Sequence, residues 1–257
     1  MKKKYWKCSE EVQSQESYWN AEIAAAECPN DSPSANRDRL VSLGLEYSKT
    51  GRPLESVDAL ERASLVGPIP DEARIALAAG YAALRRIDLA RELYLQLAFS
   101  RRLSADLMLQ VAGGLAEIDA PQMALQVCDR VIEEDATIAQ AHYDMGLYSA
   151  ASGNALYVTE ALIRRAIQLD ADSVQYRVGL AALLIQLRRE DEALETIREL
   201  TVDQIQKANC LTCLGRIEAL LDRRGNVKAA QACRERIAKL PQRQARPNHG
   251  ISGVNAT

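Results

Sequence analysis

Residues 40–68 read LVSLGLEYSKTGRPLESVDALERASLVGP, and this stretch decides the fold. Leu40, Leu43, Gly44 and Tyr47 recur at helical spacing, Gly51 interrupts the pattern, and Ser56, Leu60 and Ala63 resume it before Pro68 closes the stretch. Two short helices joined by a turn are therefore expected.

The same arrangement returns at a fixed step of about 34 residues, which is the signature of a repeat architecture. Leu77, Ala78 and Tyr81 fill the first-helix positions, and Ala90, Tyr94 and Leu97 the second. A further step gives Val111, Ala112 and Leu115, then Ala124, Cys128 and Val131, with no insertion. The fourth unit opens on Met145, Gly146 and Gly153, and its second helix fits with one extra residue at Thr159, Ile163 and Ala166. The fifth runs through Leu180, Ala181 and Leu184 to Ala193, Ile197 and Leu200, with Gly179 as an alternative occupant of the Gly slot. The sixth, on Leu214, Gly215, Gly225, Ala230 and Ile237, reads as a repeat or a capping hairpin.

This pattern resembles the tetratricopeptide repeat, whose signature runs W-x2-L-G-x2-Y, then A-x3-F, then P. The Trp slot is never Trp in this chain, and only Pro68 fills the closing Pro slot. The resemblance spans roughly residues 37–240 and implies an all-α fold, a right-handed α-solenoid of about five to six helix-turn-helix repeats. Packing explains the pattern: small residues let the two helices of a hairpin approach, and larger ones fill the gaps between hairpins. Glycine inside a helix costs about 1 kcal/mol relative to alanine, so Gly44 and Gly146 in one slot predict a close contact that offsets the cost. Pro53, Pro70 and Pro121 sit at or just before predicted helix starts, where a missing N–H costs little.

Bulk composition agrees. Of 257 residues, 47% are apolar and 26% charged, enough for a packed interior, while the aromatic fraction of 5% suits closely packed helices of Ala and Leu. The net charge of −3 gives no overall positive field for phosphate backbones, which argues against nucleic acid as a partner. Basic residues at the start are followed by polar ones rather than an apolar core, so no secretory signal is expected, and no stretch has the length of a membrane span. The six cysteines lack framework spacing, which predicts reduced thiols and a cytoplasmic location.

The domain organisation expected is an aromatic-containing N-terminal segment at 1–28, a linker at 29–36, the repeats at 37–240 and a C-terminal tail at 241–257. Tyr5, Trp6, Tyr18 and Trp19 lie in the first segment, either capping the first repeat or docking on a groove. No Gly-rich phosphate loop, HExxH, G-x-S-x-G or EF-hand pattern occurs, and the two histidines, His142 and His249, lie far apart in the sequence. No enzyme activity and no cofactor are expected. Cys210, Cys213 and Cys233 are the one cluster above background: pairing about Gly225 would bring three thiols together as a zinc or redox site, but a structural zinc wants four ligands, and buried unreactive cysteine is the leading reading.

In related proteins the first helices line a concave face that holds extended peptides or partner helices. The positions expected to face inward here are Val41, Leu45, Ile75, Ala79, Leu109, Gly113, Tyr143 and Leu147, a mostly apolar stripe. The Asn, Lys and Arg clamp by which some relatives grip a C-terminal carboxylate has no counterpart at these positions. The expected function is a non-catalytic scaffold or adaptor, chaperone-like in its grip, binding an apolar or amphipathic protein segment. The alternatives are a thiol-based metal or redox module at the C-terminal hairpin, and a non-catalytic subunit of an enzyme or secretion complex. The sequence leaves the oligomeric state open.

Overall fold

The computed structural model describes residues 32–100 and 103–240, and the described residues form thirteen helices and no strand. The N-terminal segment, the linker as far as residue 31 and the tail with His249 lie outside the described residues. The chain divides into two compact units, with the boundary between Ile118 and Asp119.

The first unit holds α1 (Pro33–Lys49), α2 (Pro53–Val66), α3 (Asp71–Ala83), α4 (Ile87–Ala98) and α5 (Ala105–Glu117). Helices α1 and α2 form one hairpin and α3 and α4 the next, while α1 touches α3 and α3 touches α5. Residues 33–36, assigned by composition to the linker, form the first turn of α1. Ser32 caps that helix, its Oγ accepting from the Ala35 amide at 3.3 Å, and Pro33 enters where no N–H is needed. Pro53 opens α2 in the same way and Pro70 caps α3.

The second unit holds α6 (Pro121–Glu134), α7 (Ala139–Ala151), α8 (Leu156–Leu169), α9 (Val174–Gln186), α10 (Glu190–Ile197), α11 (Val202–Ile205), α12 (Leu211–Arg223) and α13 (Val227–Lys239). Its hairpins are α7 with α8, α9 with α10, and α12 with α13. The third repeat is thus divided, its first helix α5 in one unit and its second helix α6 in the other.

Many second-helix slots are fully buried. Leu60, Ala63, Ala90, Leu97, Ala124, Cys128, Ile163, Ala166, Ala193 and Ala230 have no measurable exposure. Each Leu-sized member contributes about 1.5–3 kcal/mol of apolar burial. The first-helix glycines work as expected at Gly44, where a Cβ would stand 2.6 Å from Leu60 Cγ, and with less crowding at Gly146, 3.4 Å from Ile163. Gly179 serves a different purpose: its bare backbone receives the phenol of Tyr143 from the preceding hairpin.

Every turn inside a repeat is set by one residue in the left-handed region. These residues are Gly51, Arg85, Asp119 and Gly153, each thirty-four positions after the last, followed by Arg188 and Gly225. An L side chain in that region costs about 1–2 kcal/mol, so glycine at three of the six is the relaxed choice and the others carry strain.

The fifth repeat departs from the pattern. Helix α10 ends at Ile197, so Leu200, expected on the second helix, lies beyond it. Thr201 then starts the short α11 with a capping box, its Oγ1 accepting from the Gln204 amide while the Gln204 side chain accepts from the Thr201 amide.

Candidate functional site

In the first unit the expected stripe lies on α1, α3 and α5, three first helices in contact. It resolves into two rows. Val41 and Ile75 are buried, whereas Leu109 in the same row and Leu45, Ala79 and Gly113 in a second row are half-buried. Leu45 rests on the core around Leu40 and Tyr47.

In the second unit Leu147 is half-buried, and Tyr143 is a core residue with 3% exposure. Its ring lies 4.8 Å from that of Tyr176, and its hydroxyl accepts from Gln175 Nε2 at 3.4 Å. The Tyr176 hydroxyl donates to Gln140 Oε1 at 3.0 Å, and Gln140 Nε2 donates to Asp144 at 2.7 Å. Burial pushes the Asp144 carboxyl up to about 6, although the Gln140 hydrogen bond pulls the other way. The apolar stripe thus gives way in α7 and α9 to a hydrogen-bonded aromatic and amide cluster. Single-position hydropathy missed it because Gln140, Gln175 and Tyr176 acquire meaning only when the two helices meet.

A cavity of about 250 Å3 opens in the second unit between α9, α10, α12 and α13. Its origin is the early end of α10: the helix has 8 residues where α8 has 14, and the missing turns leave a space that α11 does not fill. Leu194, Ile205, Leu214, Ile217 and Cys233 line the interior, and Asp191, Glu195 and Arg198 stand exposed at the rim. An apolar cavity of about 150 Å3 already holds benzene, so this one has room for an apolar side chain.

The cysteines depart from expectation. Cys210 and Cys213 form a disulfide, so the prediction of reduced thiols fails at these two positions. Three residues of separation place the two sulfurs on one face of the first turn of α12. Cys233 and Cys128 are free and buried; burial, aided by Glu218, pushes the Cys233 thiol up to about 11, and burial also raises that of Cys128. Among the described residues no group of three His, Cys, Asp or Glu side chains converges as a metal site, so the predicted three-thiol gathering does not form. His142 is buried, with Nε2 2.9 Å from the Ala136 carbonyl, which fixes that nitrogen as the donor.

Charged residues at the turns tie neighbouring hairpins together. Arg189 reaches Glu160 of the preceding hairpin at 2.7 Å and Glu192 of its own at 2.6 Å. Arg223 and Arg224 reach back to Glu190 and Asp191 at 2.7 and 2.9 Å.

No family model and no curated protein matches this sequence. The chain is similar in structure to MamA from Desulfovibrio magneticus RS-1, with a TM-score of 0.53 at 17% identity over 63% of this chain and 92% of that one. It is also similar to PilF from Pseudomonas aeruginosa, with a TM-score of 0.55 at 17% identity over 77% of this chain and 88% of that one. Both are tetratricopeptide-repeat proteins. The fold is that of the tetratricopeptide repeats. Within the tetratricopeptide fold the slots that carry the likeness here are the buried small residues Ala63, Ala90, Ala124, Ala166, Ala193 and Ala230 of the second helices. No described helix is long and apolar enough to cross a membrane.

Proposed function

We propose that this protein is a non-catalytic scaffold that holds an apolar or amphipathic segment of a partner protein. The observation that carries the reading is the half-buried row Leu45, Ala79 and Gly113 on three touching first helices, with Leu109 beside it. The row narrows from Leu to Ala to Gly, so a bound segment sits close to the backbone at α5 and against a larger side chain at α1. One Leu-sized anchor supplies about 1.5–3 kcal/mol before ordering costs, so micromolar affinity, about 8 kcal/mol, requires several anchors together. Within the second unit, the cavity beside α10 offers a separate socket for an apolar anchor. A cytoplasmic setting accords with the free thiols Cys128 and Cys233, and the Cys210–Cys213 disulfide is then an exchangeable pair rather than a permanent staple.

The test uses amphipathic peptides selected by display on the wild-type protein and binding measured by fluorescence anisotropy. Leu45→Lys with Leu109→Lys should weaken capture at least about tenfold, the loss of one anchor, with helicity unchanged. Ile75 is unsuitable for this test because it is buried, and a charge there would report on folding. Undiminished binding by the folded double variant overturns the groove.

A further inference from the structure

The Cys210–Cys213 pair combines three properties that a structural crosslink does not need. The bond closes a loop of only a few residues within one helical turn, so it removes little conformational freedom from the unfolded chain. Its two residues are unequally buried: Cys210, at the N-cap of α12, is half-buried, whereas Cys213, one turn in, is 8% exposed. An amide is already aimed at the outer sulfur, the Cys213 N–H donating to Cys210 Sγ at 3.2 Å.

The segment that presents Cys210 is held from two sides. Gln175 of α9 accepts from the Asn209 amide at 3.3 Å. Arg236 of α13 donates to the Ala208 carbonyl at 2.7 Å and to Asn209 Oδ1 at 2.6 Å, which fixes a guanidinium against the residues that lead into the cysteine. Lys239 joins it, bonded to Gln206 at 3.3 Å. A half-buried cysteine at a helix N-terminus, on a segment held by an arginine, is the kind of position at which exchangeable cysteines sit.

We propose that Cys210 and Cys213 form a dithiol–disulfide exchange site, with Cys210 as the sulfur that meets an external thiol or disulfide and Cys213 as the internal resolving thiol. In the reductive direction an external thiolate attacks Cys210 Sγ, the Cys210–Cys213 bond breaks, and the Cys213 sulfur leaves as a thiolate that takes a proton from water. A second external thiol attacks its fellow in the mixed disulfide and releases Cys210 as a thiol. Two thiols are oxidised to one disulfide and the protein disulfide is reduced to two thiols, a two-electron exchange. Run backwards, an external disulfide oxidises the pair. The exchange is independent of the proposed groove, since none of its residues lies among the groove positions.

The test equilibrates the full-length protein in mixtures of reduced and oxidised glutathione, quenches with an alkylating agent and locates the label by mass spectrometry. Cys210 and Cys213 should gain label together in one transition, while Cys128 and Cys233 stay unlabelled in the native protein. In Cys213→Ser, oxidised glutathione should leave a single adduct on Cys210. In Cys210→Ser the remaining Cys213 should react at least about tenfold more slowly, as its burial requires. Insulin disulfides as oxidant form a second arm: exchange with glutathione alone assigns a small-thiol site, and exchange with both assigns a protein-disulfide site. A pair that never titrates in the wild-type protein, or equal reactivity of the two single variants, overturns the proposal.

Discussion

Gly114 lies against the hydroxyl end of the Tyr94 ring, so close that a Cβ on Gly114 would clash with the phenol. The ring cannot retreat, because Tyr94 is fully buried between α4 and its neighbours, where burial also raises its hydroxyl pKa. Gly114→Ala is therefore expected to destabilise the protein by about 1–3 kcal/mol through overpacking. Gly215, inside α12, faces open space, and Gly215→Ala should raise stability by about 1 kcal/mol as the better helix former. Urea unfolding of both variants checks the contrast, which helix propensity alone does not produce.

The left-handed turn residues make a second pair of opposite expectations. Arg85→Gly and Arg188→Gly should each stabilise by about 1 kcal/mol by relieving the strain at that backbone position, whereas Gly51→Ala and Gly153→Ala should destabilise by a similar amount. The melting temperature reads all four. An unchanged value for both arginine variants refutes the strain argument.

Glu160 sets an acid limit on the second unit. Burial works to raise its carboxyl, but hydrogen bonds and charge from Arg164 and Arg189 outweigh it and hold the pKa below the ordinary carboxylate value. The unfolded chain thus takes up the proton first on acidification, so the ion pair's contribution is present above the ordinary carboxylate pKa and lost as pH falls through the folded one. Thermal melts across that range should show a shallower acid loss in Glu160→Gln than in wild type. Equal slopes count against the pair.

The cavity beside α10 should accept a larger side chain. Ala229 lines it and is only half-buried, so Ala229→Leu places apolar atoms in the void and should stabilise by about 0.5–2 kcal/mol. If a partner anchor uses the same space, that variant loses affinity while gaining stability, a pairing that distinguishes an occupied socket from an idle defect.

The repeat was legible because its buried slots carry small or Leu-sized residues at a constant step, and Leu60, Ala90, Ala124 and Ile163 stand where the periodicity puts them. Local chemistry at turns was legible in part: Gly51, Gly153 and Gly225 advertise their conformation, but Arg85, Asp119 and Arg188 adopt the same one against their preference, under tertiary constraint. The burial of Tyr143 was not legible, since it looks like any half-apolar helix residue until Gly179 and Tyr176 receive it. Nor was the early end of α10, because Leu200 keeps the apolar period across Arg198 and Glu199 while the helix stops and Thr201 caps the next one. The disulfide was discounted for want of a framework, a criterion suited to crosslinks between distant segments and blind to two cysteines sharing one turn.

A polypeptide that marks each bend with a single left-handed backbone residue carries its architecture in a unit that can be copied whole. From Gly51 to Gly153 the bends recur at an unvarying interval, so duplicating or deleting one interval leaves every other bend intact. Past Gly153 the spacing stretches and the bends no longer coincide with multiples of that interval. The short α10, its cavity and the paired cysteines all fall within this lengthened portion.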